Sequence, residues 1–355
     1  MNKFWSPIIN NLIPYKPGEQ PRIKNLIKLN TNENPFGPSI KVINAMLRTI
    51  NNNLKLYPDP ESFSLKKAIS KMYKIKISEI FIGNGSDEVL AHSFKAFFKK
   101  KLPILFPDIT YEFYLTYSKL YNINYILIPL QTNFTININD YLKYKNKIGG
   151  IIFANPNAPT GCLLSLKKIK TILNNNLNIV IIIDEAYIDF GGKSAISLIK
   201  KYDNLLIIQT FSKSRSLAGL RIGFAIGNSN LILALEKIKN SFNSYPISKI
   251  GIAGATASIK DEKYFNKTRL KIIFNREKLK KELIKLNFEI LPSMANFIFI
   301  RHFKYNSYEL FNLLKKNKIL IRHFPKNRIN NFLRITIGNS FSCNFLIFIL
   351  KKYIK

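Results

Sequence analysis

Short blocks of consecutive apolar residues alternate with longer mixed stretches along most of the chain. From Phe81 onward the blocks 102–107 (LPILFP), 123–130 (INYILIPL), 148–154 (IGGIIFA), 178–184 (NIVIIID), 204–211 (NLLIIQTF) and 221–227 (RIGFAIG) read as strands. Their apolar positions run together instead of alternating, which predicts strands covered on both faces. Between several of them lie stretches with helical spacing, such as Leu166–Leu173 and Ala195–Lys201. Strands and helices in alternation predict an α/β domain with a mostly parallel central sheet flanked by helices. No fixed-period repeat interrupts this order, and the Asn runs at 51–53 and 174–176 read as turns.

After about residue 255 the pattern changes. Residues 261–287 carry apolar positions at helical spacing and predict one long helix. Strands at 297–303, 318–324 and 332–338, a helix at Tyr308–Asn317 and a terminal helix predict a smaller α+β unit. The expected division is an N-terminal arm at 1–30, a large domain at 31–255 and a small C-terminal domain at 256–355.

Composition narrows the class. With 355 residues, 46% of them hydrophobic and 27 Phe, the chain has the material for a large core, and a scale of about 150 residues per domain agrees with two units. No apolar run approaches the ~18 residues of a membrane span, and the first twenty residues lack the pattern of a secretion signal. Cys162 and Cys343, like His92, His302 and His323, have no metal-ligand or redox spacing. A cytoplasmic protein with neither disulfide nor metal is expected. The net charge of +34 invites a nucleic-acid reading. However, only ten of the 55 basic residues are Arg, and the lysines are scattered through every segment. That distribution predicts a solvated lysine-rich surface, with no specific nucleic-acid partner and no membrane.

Ligands of open α/β sheets sit beyond the carboxyl ends of the strands, and four segments of this kind carry unusual residues. Gly83, Gly85 and Ser86 precede an amphipathic helix, an arrangement suited to phosphate, although a glycine turn capped by Asp87 would read the same way. The loop 154–161 (ANPNAPTG) offers Asn155 or Asn157 to a ligand, and turn chemistry alone accounts for it equally well. Asp184 and Glu185 end an apolar strand, where a carboxylate is costly unless it has a partner. Lys213 follows another apolar strand directly, flanked by Ser212 and Ser214. A lysine held in such a cleft can have its pKa lowered and form a Schiff base with a carbonyl. Thr210, Ser212 and Arg221 suit a phosphate. One amine, one strand-end carboxylate and two phosphate-binding elements together match the needs of pyridoxal phosphate.

At this point the sequence resembles a known family, the fold-type-I pyridoxal-phosphate-dependent aminotransferases. The segments 13–19 (IPYKPGE), 28–39 (KLNTNENPFGPS), 56–60 (LYPDP), 83–88 (GNGSDE), 107–114 (PDITYEFY), 155–161 (NPNAPTG), 184–190 (DEAYIDF), 210–224 (TFSKSRSLAGLRIGF), 243–248 (NSYPIS) and 333–338 (LRITIG) follow the family's order. The resemblance implies that Lys213 binds the cofactor's aldehyde and shuttles the substrate proton, that Asp184 keeps the pyridine nitrogen protonated, and that Tyr187 bonds the phenolic oxygen. It implies that Tyr111 stacks on the ring, and that the amides near Ser86 and Asp87, with the Ser212 hydroxyl and Arg221, hold the phosphate. Tyr57 would reach the cofactor of a neighbouring subunit, hence a homodimer with shared sites. Arg322 and Arg334 would bind the substrate's anionic group, and Tyr15 would close over it.

The implied reaction is a ping-pong transamination of the branch acting on L-histidinol phosphate, exchanging imidazole-acetol phosphate and 2-oxoglutarate with glutamate in histidine synthesis. Two alternatives stand on the same scaffold: a broader aromatic aminotransferase and a threonine-phosphate decarboxylase-like enzyme. One departure is present. The family's loop has two adjacent asparagines, and the second contacts the phenolic oxygen. Ala158 stands there in this chain, so Asn157, a water or Tyr187 alone is expected to make that contact.

Overall fold

The computed structural model describes residues 3–15, 17–99 and 101–354. Lys16, inside the 13–19 motif, lies outside them, as do the chain's first two residues and its last. After a short strand β1 (Ile27–Lys28), the strands of the central sheet come in chain order as β2 (Ile80–Gly83), β3 (Ile104–Pro107), β4 (Tyr125–Ile128), β5 (Gly150–Ala154), β6 (Val180–Asp184), β7 (Leu205–Thr210) and β8 (Gly223–Gly227). Their spatial order is β2-β8-β7-β6-β5-β3-β4. The pairs from β7 to β4 are parallel, and β8 runs antiparallel to both its neighbours.

The apolar blocks form these strands because both faces are covered. Successive side chains of a strand point to opposite faces. Ile151, Phe153, Ile181, Ile183 and Ile207 join one buried cluster, while Ile152, Ile182, Leu206 and Ile208 join another on the opposite face. Helices Phe113–Leu120 and Leu166–Asn174 are crossovers between parallel strands. The second starts where the Ser165 hydroxyl accepts the Lys168 N–H.

Two local expectations need correction. Ala195–Lys201 is no crossover α-helix: only a short 3₁₀ turn, Ala195–Leu198, forms. Its first turn is tethered to the buried Glu185, which accepts the Ala195 N–H at 2.7 Å and the Ser194 hydroxyl at 2.5 Å. The block 318–324 is not one strand. It divides at Ile321, because its halves bond to different partners.

The smaller unit adds β9 (Phe288–Ile290), β10 (Phe297–His302), β11 (Ile319–Leu320), β12 (Arg322–His323) and β13 (Leu333–Thr336). β12-β13-β10-β9 make an antiparallel sheet, while β11 pairs in parallel with β1 of the arm. The long helix is Glu262–Lys285 and the terminal helix Ser340–Tyr353. Their inner faces (Ile272, Leu279, Leu283, Leu346, Leu350) pack on Ile298, Ile300 and Ile335 as a separate core. Most lysines lie at the surface. Lys66 and Lys239 are buried instead, and both pair with Glu236 and Glu61. Among the described residues no helix is long and apolar enough to cross a membrane, and no His/Cys/Asp/Glu cluster could hold a metal.

Phe153, fully buried on the central strand β5, measures how much the sheet depends on this packing. Phe153→Ala is expected to lower unfolding stability by ~3–5 kcal/mol, read from the urea midpoint, with little change in slope.

Candidate active site

β3 leads outward to β4, whereas β5, β6 and β7 advance the other way. The carboxyl ends of β3 and β5 therefore flank the crevice where such sheets bind ligands. One cleft opens there. Thr110, Tyr111 and Glu112 line it after β3, Ala154, Ala158 and Pro159 at and after β5, Asp184 and Tyr187 at and after β6, and Thr210, Ser212 and Lys213 after β7. The arm contributes Tyr15, the segment directly after it Thr31 and Asn32, and the smaller sheet Arg322 and Arg334.

Lys213 points its amine into this cleft and donates to the Thr31 carbonyl at 2.9 Å. Burial, reinforced by the Arg334 charge, pulls its pKa from 10.5 down to about 8. An amine so placed keeps a working neutral fraction near pH 7, which nucleophilic attack on a carbonyl requires. Asp184 is buried at the end of β6. One carboxylate oxygen accepts the Tyr114 hydroxyl at 2.9 Å and the other the Ala186 N–H at 3.1 Å. Even so, burial pushes its pKa up to about 6. Glu185, its neighbour, faces away from the cleft into bonds with Ser194, Ala195 and Gln209.

A cradle of donors lies at the N-terminus of helix Gly85–Ser93. Arg221 bonds Asp87 through Nη2 at 2.8 Å and approaches the Ser212 hydroxyl through Nη1 at 3.3 Å. The Thr210 hydroxyl is 3.0 Å from that of Ser212. Gly85 has φ +82°, and a Cβ there would sit 2.5 Å from Arg221 Nη2. Both facts require glycine at this turn. Tyr111 donates to the other Asp87 oxygen at 2.7 Å, so Asp87 joins the Tyr111 wall to the Arg221 cradle. At the opposite end, Arg322 and Arg334 are directly paired across β12 and β13. Like charges in such a pair repel, and an anionic ligand between them removes the repulsion. Tyr15 flanks them, its ring 4.5 Å from that of Phe113.

Of the residues singled out in the sequence, Lys213, Ser86, Asp87, Tyr111, Asp184, Tyr187, Thr210, Ser212, Arg221, Tyr15, Arg322 and Arg334 line this one cleft. Two do not. Asn157 is buried behind the wall: its amide donates to the Ile109 carbonyl and the Thr160 hydroxyl, and its oxygen accepts from Thr110 at 2.8 Å. The expected contact from Asn157 is therefore corrected, since its polar atoms already hold the two loops together. Tyr57 is 79% exposed, stacked on Tyr245 at 4.6 Å and remote from the cleft of its own chain. Sequence reasoning missed Tyr114, Thr31 and Asn32. Asn32 and Thr31 sat inside a quoted motif, and Tyr114 lay three residues beyond Tyr111 on the next helix, but only the fold brings them to Tyr187, Lys213 and Asp184.

A model of the aminotransferase class I and II family matches residues 24–342. The chain belongs to that family. It is 51% identical over 339 residues to histidinol-phosphate aminotransferase 1 of Pseudomonas aeruginosa, covering 96% of both chains. Among solved structures it is similar to the histidinol-phosphate aminotransferase of Clostridium acetobutylicum, with TM-score 0.86 and 28% identity over 92% of this chain and 98% of that one. The fold is also that of the Sinorhizobium meliloti histidinol-phosphate aminotransferase in complex with pyridoxal 5′-phosphate, with TM-score 0.88, 22% identity and 99% of each chain covered. This aminotransferase fold is thus a fold-type-I architecture with a mostly parallel sheet and a smaller α+β unit.

The buried carboxylate gives a test in the ligand-free aminotransferase. Asp184 has a folded pKa of about 6 against 3.8 for the free group. The folded chain therefore holds this proton more tightly than the unfolded chain, and ionised Asp184 is a cost fully present above pH ~6 and absent below ~4. Asp184→Asn is expected to stabilise the ligand-free chain by ~2–3 kcal/mol at pH 7. Urea melts at pH 4 should show that gain gone.

Proposed function

We propose that this chain is a pyridoxal-phosphate-dependent transaminase acting on L-histidinol phosphate, with glutamate and 2-oxoglutarate as the exchange pair, in histidine biosynthesis. The observation that carries the reading is one cleft holding the depressed-pKa amine of Lys213, the buried carboxylate of Asp184 and two separate anion sites. The 51% identity to the Pseudomonas aeruginosa enzyme supports the choice of substrate.

The residues fit the cofactor. The Arg221 guanidinium, the Ser212 and Thr210 hydroxyls and the amides at the start of helix Gly85–Ser93 would hold its phosphate, and the Gly85 turn leaves room for Arg221 to lie over them. Asp184, with acceptor capacity left after its two bonds, would take the ring N–H. Tyr187 would bond the phenolic oxygen, and Tyr111 would cover the ring. Bound there, pyridoxal phosphate supplies an aldehyde for amino groups and an electron sink for the carbon that loses its proton. Lys213 Nζ takes the proton from the substrate's α carbon and returns one later in the cycle. Arg322 and Arg334 bind the substrate's distal anion. A guanidinium pairs in bidentate fashion with phosphate or carboxylate alike, so one site serves both substrates. Tyr15 lies over the entrance and excludes water.

In this reading the enzyme is a cytoplasmic homodimer. The stretch 40–57 exposes Ile40, Leu47, Ile50, Leu54, Leu56 and Tyr57, the kind of apolar surface that a second subunit covers. Tyr57 would then serve the partner's site. In this reading an arm at 1–30, a cofactor domain at 31–255 and a small domain at 256–355 divide the chain, the small domain's helices Glu262–Lys285 and Ser340–Tyr353 packing on its own strands β10 and β13.

The test is an absorbance spectrum of the purified protein with pyridoxal phosphate, wild type beside Lys213→Ala. A near-visible band is expected only with Lys213, bleached by histidinol phosphate and restored by 2-oxoglutarate. A band indifferent to histidinol phosphate but bleached by aromatic amino acids would overturn the substrate assignment. Absence of any lysine-dependent band would overturn the cofactor assignment.

A further inference from the structure

Ala158 stands where the resemblance implies an asparagine, and the structure places a different amide beside Tyr187. Ala158 lines the cleft and packs with Ala295 and Phe297 against the Tyr187 ring. It presents only a methyl group there. Asn157 cannot substitute, because its amide is fully engaged elsewhere. The Tyr187 hydroxyl instead meets Asn32, whose Nδ2 lies 3.0 Å away.

Asn32 is held from every side. It is 1% exposed. Its carbonyl accepts from Asn296 Nδ2 at 3.0 Å, and its N–H donates to Thr336 Oγ1 at 3.0 Å. The Thr336 hydroxyl in turn donates to Asn32 Oδ1 at 3.0 Å. This loop fixes which end of the amide faces which partner. With the amide reversed, the Thr336 proton would have no acceptor among the described residues, a loss that buried hydroxyls rarely bear. The NH₂ group therefore faces Tyr187 and donates to its oxygen. A phenol that accepts from an amide keeps its own proton for another acceptor. Among the described residues, Tyr187 donates to none, and the cleft lies open beside it.

We propose that Asn32 is a positioning residue that sets the polarity of Tyr187: its amide donates to the phenol oxygen and turns the phenol's own proton into the cleft, toward an oxygen of the bound cofactor. The proposal rests on the cofactor reading given above. Asn32 does the work indirectly, through Tyr187, and the same two-residue segment holds the Lys213 amine through the Thr31 carbonyl. The isosteric change Asn32→Asp would reverse the bond, because a carboxylate accepts where the amide donates, and would draw the Tyr187 proton away from the cleft.

The experiment uses the full-length protein loaded with pyridoxal phosphate. It reads two quantities other than turnover: the pH midpoint of the Lys213-dependent absorbance band and the dissociation constant for pyridoxal phosphate. Asn32→Ala is expected to move the midpoint in the same direction as Tyr187→Phe and to weaken cofactor binding ~3–10-fold, the scale of one hydrogen bond. Asn32→Asp should do at least as much. In a Tyr187→Phe background, Asn32→Ala should add nothing, since residues that act through one bond are non-additive. Full additivity of the two substitutions, or an Asn32→Ala midpoint equal to wild type, would overturn the proposal. If Asn32→Ala fails to fold, Thr336→Val decides. It removes the hydroxyl that orients the amide, which is also the acceptor of the Asn32 main-chain N–H, and it must reproduce the shift or the proposal fails. A wild-type protein with no lysine-dependent band would instead defeat the cofactor reading on which the proposal stands.

Discussion

Two ionisable groups are kept out of water at the ends of neighbouring parallel strands, and most of the molecule is arranged around the cost of doing so. Desolvation favours the neutral form of each, lowering the lysine and raising the aspartate. Neither is discharged onto the other. The Lys213 amine rests on the Thr31 carbonyl, and Asp184 rests on a phenol and a backbone amide. Each group is thus solvated by dipoles and keeps its charge or lone pair available for an incoming molecule.

The scaffold follows from that requirement. Strands covered on both faces give rigid ends, and the loops leaving β3, β5, β6 and β7 all emerge on one side. The helix Phe113–Leu120 carries Tyr114 to Asp184 and Tyr117 to the Asp87 carbonyl, so a single element steadies both the carboxylate and the anion cradle. The smaller antiparallel sheet then closes the opposite end with two arginines in register, like charges that repel at close range.

Much of this was legible in the sequence. Consecutive apolar blocks marked the buried strands because burial on both faces removes the usual alternation. Lys213 and Asp184 stood out because ionisable residues directly after such blocks are expensive. What stayed hidden depended on partners distant in the chain. Nothing local distinguishes Tyr114 from other core tyrosines until Asp184, seventy residues on, is placed against it. Asn157 has a suitable side chain on a suitable loop, yet its atoms are consumed by Ile109, Thr110 and Thr160. The block 318–324 has the pattern of one strand, and only its hydrogen-bond partners reveal that it serves two sheets.

That divided block has a mechanical meaning. Its first half grips the arm through β1, and its second half carries Arg322. A few residues beyond β1, the continuing chain accepts Arg334 on the Asn30 carbonyl, holds the Lys213 amine through Thr31, and bonds the main-chain carbonyls of Lys213 and Ser214 through Asn34. Residues 27–34 are therefore a tie rod, anchored on β11 at one end and on Lys213 at the other. Any displacement of the smaller sheet that loosened Arg334 would pull on the same eight-residue span, 27–34, that holds the Lys213 amine, so the placements of Arg334 and Lys213 are not independent variables in this molecule.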